Sequence, residues 1–384
     1  MNLKHIYWRV QSKVYKFSGQ LFRWLPVKRN KIVLNNFYGF GFGDSPKYIV
    51  EEIIRQRMPY DIVWLVSDMN SEFPSEVRKV KLLSFRASYE LSTAKIIISN
   101  VKVALPYHKK RSQYYIQTWH GSMAFKAIEA DAQDKLDLNY LRETKADSKL
   151  INLFLSSNSI QTQEIQTCFW YDGEIFESGS PRNDMFYKPT HFKDSVKRSL
   201  GLPPETKVVL FAPTFRDNHR TDVYNLDFVG LINSLTSRFG GDWRVLVRLH
   251  PNLMGQNVVK LCQNSIDVAS YPDMQELLLI SDILITDYST TIYDAIIMHK
   301  TVLLYAPDLE EYCGNRGLKS IYFSLPSQVY QTNEELFEYI SKYDETAYQQ
   351  QLDYFLSTFR VFDDGNASKR VVDRINKITK LHNL

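Results

Sequence analysis

The sequence has no run of about 18 apolar residues, which is the length that a helix needs to cross a bilayer. Its N-terminus also lacks the uninterrupted apolar core of a signal peptide, because Arg9, Lys13 and Lys16 interrupt it. We therefore expect neither a membrane-spanning helix nor a cleaved leader.

Cysteine is scarce, with only Cys168, Cys262 and Cys313, and no CxxC pair occurs. This argues against a zinc site or a disulfide framework and fits a reducing, cytosolic compartment. Asp-x-Asp pairs, His/Asp/Glu clusters at metal spacing and a Walker loop are missing as well. The chain is therefore not expected to be a P-loop kinase or ATPase, and we expect metal-independent chemistry without a cofactor.

Acidic residues are absent before Asp44, whereas eight basic residues precede it. Apolar residues recur there every three or four positions, at Leu3, Ile6, Val10, Val14, Phe17, Leu21 and Trp24. This pattern predicts an amphipathic helix over residues 1–30 that lies on an anionic membrane surface. The alternative is a helix packed on the first domain with solvated lysines. Nucleic acid is not expected as a partner, since no recognised binding motif accompanies the charge.

From residue 31 onward, short Ile- and Val-rich runs alternate with longer helical segments. The predicted strands are Lys31–Phe37, Asp61–Val66, Val80–Phe85, Lys95–Ser99, Tyr114–Thr118, Leu153–Ser157, Lys207–Ala212, Arg244–Arg248, Asp267–Ala269, Ile283–Thr286 and Val302–Tyr305. The alternation predicts an α/β protein with two Rossmann-like, doubly wound domains facing a cleft. We place these domains at 31–190 and 191–355, with a C-terminal helix in 356–384 that crosses back to the first.

A histidine directly follows the predicted strand Tyr114–Thr118, in Trp119-His120-Gly121-Ser122. Ligands of doubly wound sheets lie at the carboxyl ends of strands, and histidine suits a general base near neutral pH. His120 is therefore a candidate catalytic residue, and Lys126 is a possible accessory one. The alternative is a structural histidine in a turn.

Three predicted strands of the second half also end in polar residues. Thr214 and Arg216 follow one. Arg248 ends another and His250 follows it; His250 is the second candidate catalytic residue, because a cationic His250 would neutralise charge on a transferring phosphoryl group. The third runs into Asp287-Tyr288-Ser289-Thr290-Thr291 before a helical segment, a pattern typical of phosphate binding. Asp294 and Glu310 lie downstream as possible acceptors from hydroxyl groups. Each feature alone also fits a surface ion pair, a cap or a solvated charge.

Together these motifs resemble the CDP-glycerol glycerophosphotransferase family. The matching segments are Trp119-His120-Gly121-Ser122 with Lys126, Ser180-Pro181-Arg182-Asn183-Asp184, Ala212-Pro213-Thr214-Phe215-Arg216-Asp217, Arg248-Leu249-His250-Pro251, Thr286-Asp287-Tyr288-Ser289-Thr290-Thr291 and Asp363-Asp364-Gly365-Asn366-Ala367-Ser368. The resemblance implies a GT-B-like fold and transfer of glycerol phosphate from CDP-glycerol to an acceptor hydroxyl, with release of CMP.

By the same resemblance, His120 is the base, and Asp287 organises a donor site formed by Thr214, Arg216, Arg248, His250, Ser289, Thr290 and Thr291. Arg182 and Asp184 would stabilise the domain junction. The implied partners are CDP-glycerol, a lipid-linked glycan or polymer acceptor, and the cytoplasmic face of the cell membrane as a peripheral binding surface. Three alternatives stay open: a ribitol-phosphate transferase using CDP-ribitol, a GT-B glycosyltransferase using a nucleotide sugar, and a catalytically idle module that binds polyanionic glycans.

Overall fold

The structure, a computed structural model, describes residues 3–103, 105, 109–216, 221–249, 253 and 259–381, with side chains outside 3–12, 315 and 316. Within these residues the strands form two parallel sheets, and helices occupy most connections between consecutive strands. Such crossovers are required because a tight hairpin cannot connect parallel neighbours. The predicted α/β class is confirmed.

The first sheet has the strand order β3-β2-β1-β4-β5-β6-β7. Its strands are β1 (Lys28–Asn35), β2 (Asp61–Val66), β3 (Val77–Lys81), β4 (Ala94–Ser99), β5 (Tyr114–Gln117), β6 (Leu153–Leu155) and β7 (Glu174–Phe176). The order reverses between β1 and β4, which is the doubly wound arrangement and places the usual ligand position at the carboxyl ends of these two strands.

The second sheet repeats this arrangement, with the order β10-β9-β8-β11-β12-β13. Its strands are β8 (Lys207–Phe211), β9 (Trp243–Val247), β10 (Ser265–Asp267), β11 (Ile283–Thr286), β12 (Thr301–Tyr305) and β13 (Val329–Tyr330). Here the order reverses between β8 and β11. The prediction of two doubly wound sheets is therefore confirmed.

The helices surround these sheets. They are α1 (Leu3–Phe22), α2 (Asp44–Arg55), α3 (Phe85–Thr93), α4 (Leu138–Ser148), α5 (Ser159–Cys168), α6 (Thr190–Ser199), α7 (Phe228–Phe239), α8 (Met274–Ile280), α9 (Thr291–Ile296), α10 (Leu309–Arg316), α11 (Asn333–Lys342), α12 (Glu345–Ser357) and α13 (Ala367–Thr379). No helix within the described ranges combines the length and the apolar character needed to cross a bilayer.

The predicted strand Val80–Phe85 is wrong, because the strand occupies Val77–Lys81 and Phe85 begins α3. Ser84 explains the boundary, since its side chain accepts a hydrogen bond from the backbone N–H of Ala87 and caps the helix. The edge strands β7 and β13, with three and two residues, were not predicted, because runs this short carry no periodic signal.

The chain folds into two compact units. The first comprises residues 1–120, 129–184 and 361–384, and the second comprises 121–128 and 185–360. The sequence placed the corresponding boundaries after residues 190 and 355, and it gave no signal that 121–128 pack with the second unit. Helix α13 belongs to the first unit, where Val371, Val372 and Ile375 join its core.

Each unit has its own core, formed largely by strand residues. Ile32, Leu34 and Ile96 are buried in the first, and Val209 and Ile285 in the second. Strands covered on both faces become nearly continuous apolar runs, which is why these segments lack a clean alternation. Burial of each such side chain contributes about 1.5–3 kcal/mol relative to exposure. The cores thus fix the strand ends that carry the candidate site residues.

Helix α1 packs on α3 through one face. Tyr15 and Ser18 are buried there, and the Phe22 ring contacts the rings of Phe85 and Tyr89, with centroids 4.9 and 5.5 Å away. Other apolar side chains of the predicted stripe are exposed, namely Val14, Phe17, Leu21 and, beyond the helix end, Trp24.

Candidate active site

His120 follows β5, at the carboxyl edge of the first sheet, as the sequence predicted. Its Nδ1 lies 2.8 Å from the carbonyl oxygen of Asn100, a residue that directly follows the neighbouring strand β4. A carbonyl oxygen only accepts hydrogen bonds, so Nδ1 carries the proton. In the neutral ring, Nε2 then has the free lone pair that a general base requires.

Burial lowers the pKa of His120 from its ordinary value of 6.5. The hydrogen bond to Asn100 and the carboxylate of Asp44 oppose this shift, whereas the positive charge of Arg182 adds to it. The net shift is downward, so the ring is neutral at pH 7. The surroundings therefore keep His120 in the form that accepts a proton.

The backbone around His120 is held in a strained conformation. Trp119 has a φ of 53°, in the left-handed region, and its N–H donates to Oε1 of Gln117 at 2.9 Å. The Trp119 and His120 ring centroids are 4.3 Å apart. A non-glycine residue in this region costs about 1–3 kcal/mol and persists where its surroundings hold it, often at functional sites.

Arg182 and Asp184, predicted as accessory residues, have distinct contacts in the first unit. Nη1 of Arg182 donates to the His120 carbonyl oxygen at 2.9 Å and to a carboxylate oxygen of Asp44 at 3.1 Å. Asp184 instead accepts from the backbone N–H groups of Ala367 and Ser368, at 2.9 and 2.7 Å. Arg182 therefore supports the histidine loop, and Asp184 caps the returning helix α13.

Sequence reasoning missed Asn100 and Asp44. Asn100 follows a strand directly, so the rule that pointed to His120 would also have found it. Asp44 begins α2 and has a φ of 54°, and its carboxylate is connected to this edge by its contact with Arg182 and by its effect on the pKa of His120.

In the second unit, Asp287 joins the ends of the two strands at which the strand order reverses. Its carboxylate accepts from the backbone N–H of Thr214, which follows β8, at 2.9 Å and from its own neighbour Tyr288 at 2.6 Å. Asp287 directly follows β11, so this carboxylate ties the two loops together. Its predicted organising role has this geometric basis.

Arg216 is buried between two carboxylates rather than open to solvent. Its Nε lies 2.6 Å from Oδ2 of Asp308, and Nη1 lies 2.9 Å from Oδ2 of Asp287. Nη1 also donates to the backbone carbonyl and the hydroxyl of Thr214, each at 2.7 Å. The predicted contact of Arg216 with donor phosphate stays a prediction, and most of its N–H groups are already engaged within the protein.

Asp308 is a further residue that the sequence did not indicate. Burial raises the pKa of its carboxyl, but the hydrogen bonds and the charge of Arg216 outweigh burial and hold the pKa below its ordinary value of 3.8. The Tyr288 hydroxyl donates to the same carboxylate at 3.1 Å. The Tyr288 ring stacks on Tyr312 with centroids 3.7 Å apart, which closes the cluster from one side.

The hydroxyl residues that follow Asp287 are partly exposed at the end of β11. The Thr291 hydroxyl donates to Oγ of Ser289 at 2.9 Å, and Thr290 lies beside Gly121. A Cβ atom at Gly121 would lie 3.0 Å from the Thr290 side chain, so glycine permits this approach. Nearby, Lys126 forms an antiparallel bridge with Leu318, which attaches the 121–128 segment to the second unit.

The remaining predicted residues differ in their surroundings. Nη1 of Arg248 donates to the carbonyl oxygens of Val268 and Tyr271, and burial lowers the pKa of its guanidinium. Asp294 is buried and accepts from the amide of Gln275 at 3.1 Å, whereas Glu310 is exposed. His250 lies outside the described residues, so its catalytic role stays a prediction.

Comparison with known proteins identifies the family. The family described as CDP-Glycerol:Poly(glycerophosphate) glycerophosphotransferase matches residues 18–377. A teichoic acid poly(glycerol phosphate) polymerase of Staphylococcus epidermidis is 32% identical over 92% of this chain, which spans 51% of that relative. A polymerase of the same description from Bacillus spizizenii is 27% identical, with 98% of both chains covered.

A solved structure gives the same result for the fold. A variant of the wall teichoic acid polymerase TagF soaked with CDPG superposes with a TM-score of 0.83, at 29% identity, over 98% of this chain and 96% of that one. The two doubly wound sheets, the motif order and the match over most of the 384 residues lead to one conclusion. The chain belongs to the CDP-glycerol:poly(glycerophosphate) glycerophosphotransferase family.

Proposed function

We propose that this chain transfers glycerol phosphate from CDP-glycerol to a hydroxyl group of a membrane-linked glycan or a teichoic acid or capsule precursor. The observation that carries the proposal is the state of His120, whose Nδ1 donates to the Asn100 carbonyl oxygen, so that Nε2 carries the lone pair of the neutral ring. Family membership supports the donor, since relatives of known description polymerise glycerol phosphate.

The reaction is a phosphoryl transfer. The acceptor oxygen attacks the phosphorus atom that carries glycerol, and the bond from that phosphorus to the oxygen of CMP breaks. The hydroxyl proton moves to Nε2 of His120, and CMP leaves with the electron pair of the broken bond. Positioning and charge stabilisation supply most of the catalysis in such reactions.

The second unit would hold the donor. Thr214, Ser289, Thr290 and Thr291 offer hydroxyl groups that follow strand ends, which is the chemistry that phosphate oxygens need, whereas the backbone N–H of Thr214 already donates to Asp287. Asp287 would fix the spacing of the two loops, and Arg216 would hold Asp287 in turn. Arg248 and His250 complete the proposed donor site.

A donor panel tests this function. The full chain is incubated with CDP-glycerol, CDP-ribitol or a UDP-sugar, each with lipid-linked acceptor, in the presence and absence of EDTA, and nucleotide release is measured. CMP release with CDP-glycerol that persists in EDTA supports the proposal. CMP release with CDP-ribitol alone would establish the ribitol-phosphate alternative, and release of UDP or UMP would establish a sugar transferase.

The chain would work as a peripheral protein at the cytoplasmic face of the cell membrane. Phe17 and Leu21 are exposed on α1 one turn apart, and the exposed Lys13 and Lys16 flank them. Apolar side chains beside basic ones are the combination that binds anionic bilayer surfaces.

Vesicle sedimentation tests the membrane proposal. Phe17→Ser with Leu21→Ser should abolish sedimentation with vesicles that contain anionic lipid, because the change removes apolar contact while keeping every charge. Leu138→Ser, which removes an equally exposed leucine at the start of α4, is the matched control and should bind as wild type. Unchanged binding of the double variant would contradict the proposal.

A further inference from the structure

The side-chain amide of Gln117 is buried at the carboxyl end of β5, three residues before His120. Its Oε1 accepts from the backbone N–H of Trp119 at 2.9 Å, and its Nε2 donates to the Val101 carbonyl oxygen at 3.2 Å. Trp119 directly precedes His120. Val101 directly follows Asn100, whose carbonyl oxygen accepts from Nδ1 of His120. One amide therefore binds both the segment that carries the imidazole and the segment that orients it.

The contacts determine which end of the Gln117 amide is the oxygen. A backbone N–H only donates, so the atom that faces Trp119 must be an acceptor, and a backbone carbonyl only accepts, so the atom that faces Val101 must carry hydrogen. The Tyr115 hydroxyl oxygen, 2.9 Å from Nε2, accepts from the same amide nitrogen. A rotated amide would place donor against donor and oxygen against oxygen, so a single orientation is stable.

Tyr115 and Asp147 support this amide from within the core of the first unit. The Tyr115 side chain is fully buried, and its hydroxyl lies 3.2 Å from Oδ2 of Asp147. The other carboxyl oxygen of Asp147 accepts from the backbone N–H of Val103 at 3.0 Å. Buried chains of hydrogen bonds strengthen one another, and each member limits the geometry of the next. The Gln117 amide is therefore held in place from the side opposite to Trp119.

The backbone of Val101 is held at both of its polar groups. Its N–H donates to Oγ of Ser99 at 3.2 Å, and its carbonyl oxygen accepts from the same hydroxyl at 2.7 Å as well as from Gln117. The peptide group that joins Asn100 to Val101 is planar and trans, so its carbonyl oxygen points away from its N–H. Holding Val101 on one side therefore fixes the direction in which the Asn100 carbonyl meets His120.

Trp119 depends on its hydrogen bond to Gln117 because its backbone lies in the left-handed region. With a φ of 53°, it has a conformation that a non-glycine residue keeps only where its surroundings hold it. A side chain two positions earlier that accepts from the backbone N–H selects the conformation of such a turn directly. His120 is the next residue, so a change in this turn moves the imidazole relative to Asn100.

A second buried glutamine, at the other end of the same strand, provides a comparison. Gln113 directly precedes β5 and is 1% exposed, as Gln117 is. Its Nε2 donates to the carbonyl oxygens of Leu91 and Ala94 at 2.7 and 2.8 Å. Its Oε1 accepts from the backbone N–H of Lys110 at 3.1 Å. The two amides are equally buried and both cross-link separate segments, but of the two it is Gln117 that binds the segments around the imidazole.

We propose that Gln117 is a positioning residue for the transfer reaction. It sets the contact between Nδ1 of His120 and the Asn100 carbonyl oxygen, and it thereby keeps the lone pair of the neutral imidazole on Nε2. Which ring nitrogen carries the proton depends on the hydrogen bonds that the ring makes, so a displaced ring loses its preference for a proton on Nδ1. The inference rests on the proposed function, in which Nε2 of His120 accepts the hydroxyl proton.

Gln117→Met tests this role by kinetics, because methionine keeps the unbranched shape of glutamine and removes both hydrogen-bonding ends. The kcat of CMP release from CDP-glycerol should fall about 100-fold, which is the effect expected when a catalytic group is displaced by about 1 Å. The KM for CDP-glycerol should change little, since the proposed donor site lies in the second unit. Gln113→Met is the matched control. It should lose stability as Gln117→Met does but keep the wild-type kcat.

The tautomer of His120 is a second readout, which a loss of stability alone would not move. Nitrogen NMR of the full chain labelled at its histidine rings, without substrate and at a pH where the ring is neutral, distinguishes a protonated from an unprotonated ring nitrogen. The signals that are missing in His120→Asn identify those of His120. In wild type and Gln113→Met the proton should lie on Nδ1, whereas Gln117→Met should show a mixture of the two tautomers.

If Gln117→Met does not fold, Gln117→Glu against Gln113→Glu makes the same comparison. Glutamate keeps the shape of the side chain and an oxygen that can face Trp119, but it loses the amide N–H groups that face Val101. Gln117→Glu should therefore lower kcat and mix the two tautomers, whereas Gln113→Glu should do neither.

The inference is overturned if the Gln117 variant keeps the proton of His120 on Nδ1, if it turns over at the wild-type rate, or if the Gln113 variant loses as much kcat. The NMR measurement needs neither donor nor acceptor. A wild-type chain that releases no CMP from CDP-glycerol would therefore refute the proposed function, while the tautomer of His120 in the two glutamine variants would still decide whether Gln117 positions the ring.

Discussion

The carboxyl edges of the two sheets use polar residues in different ways. In the first unit, a hydrogen bond and a ring contact position His120, and the hydrogen bond at Nδ1 puts the lone pair of the neutral ring on Nε2. In the second unit, Arg216 is held between Asp287 and Asp308, so its charge is neutralised by the protein. The first edge therefore presents a reactive group, whereas the second uses its strongest charges to set the shape of two loops.

This difference shows that a charged residue beside a proposed phosphate site need not bind phosphate itself. A buried arginine between two aspartates has little charge left to attract phosphate, and the cluster of Arg216, Asp287 and Asp308 is formally negative. In the proposed donor site, binding would then depend more on hydroxyl and backbone N–H groups, whose positions the ion pairs determine. Charge near a phosphate site is not by itself a phosphate contact.

The largest effect should follow from replacing the base. His120→Asn keeps a side-chain N–H where Nδ1 donates to Asn100 but removes Nε2, so CMP release should fall about 100- to 10,000-fold. The KM for CDP-glycerol and the melting temperature should change little. Steady-state kinetics and thermal unfolding measure both effects.

The control for this change is His299→Asn, since His299 is exposed and pairs only loosely with Asp353 at 3.4 Å. It should turn over CDP-glycerol at the wild-type rate. If His120→Asn kept more than a tenth of the wild-type rate, His120 would not be the base.

The ion-pair cluster of the second unit should show the opposite signature, a loss of stability together with a loss of donor binding. Asp308→Asn leaves Arg216 with one carboxylate, and breaking a buried pair costs about 3–5 kcal/mol. Chemical denaturation measures the stability, and the KM for CDP-glycerol should rise while His120-dependent proton transfer is unaffected. The pH profile of kcat should therefore keep its wild-type midpoint.

Asp373→Asn provides the matched control. It breaks the exposed pair with Lys369, whose N···O distance of 2.8 Å is similar, and exposed pairs contribute little. A small change for both variants would mean that the buried cluster does not hold the loops, and the contrast between the two edges would fail.

The pH dependence of turnover tests the same contrast, with an expected effect of intermediate size. His120 accepts a proton only when neutral, and burial lowers its pKa below 6.5. The rate of CMP release should therefore fall with decreasing pH along a single titration whose midpoint lies below pH 6.5. In His120→Asn, the residual rate of CMP release should no longer show this decrease at low pH. An acid limb centred above pH 6.5 would indicate a different titrating group.

The sequence was sufficient for the features that follow from local patterns. His120 and Asp287 each follow a predicted strand, and in a doubly wound sheet that position alone points to a site. Asn100 obeys the same rule and could have been found. By contrast, Val80–Phe85 was misassigned because the apolar residues Leu82 and Leu83 extend the strand pattern up to Ser84, and the capping role of Ser84 depends on the helix that follows it.

Contacts between distant loops were beyond sequence reasoning. Asp308 lies 92 positions from Arg216, and nothing in its own segment distinguishes it from a solvated helix cap. The same holds for the segment 121–128. It packs with the second unit although His120, the residue directly before it, belongs to the first. The segment after β1 that contains Phe37, Tyr38 and Phe40 is visibly rich in aromatic residues but forms no motif, and the contact between the Phe37 and His120 rings could not be predicted from it.

The smallest expected effect concerns a single hydroxyl of the donor loop. Oγ of Ser289 accepts from the Thr291 hydroxyl at 2.9 Å and is partly exposed, so its own proton is available to a phosphate oxygen. Ser289→Ala removes one such hydrogen bond, and a net contribution of about 0.5–1.5 kcal/mol predicts a twofold to tenfold rise in the KM for CDP-glycerol. Because the loop itself is held by Asp287, the unfolding midpoint should not move.

Ser341→Ala on α11 is the control. It removes a hydroxyl that donates to the Glu338 carbonyl oxygen at 2.7 Å, and it should leave the KM for CDP-glycerol unchanged. A loss of stability without a change in KM would mean that the Ser289 hydroxyl supports the loop and does not meet the donor, and the second edge would then bind phosphate through backbone groups alone.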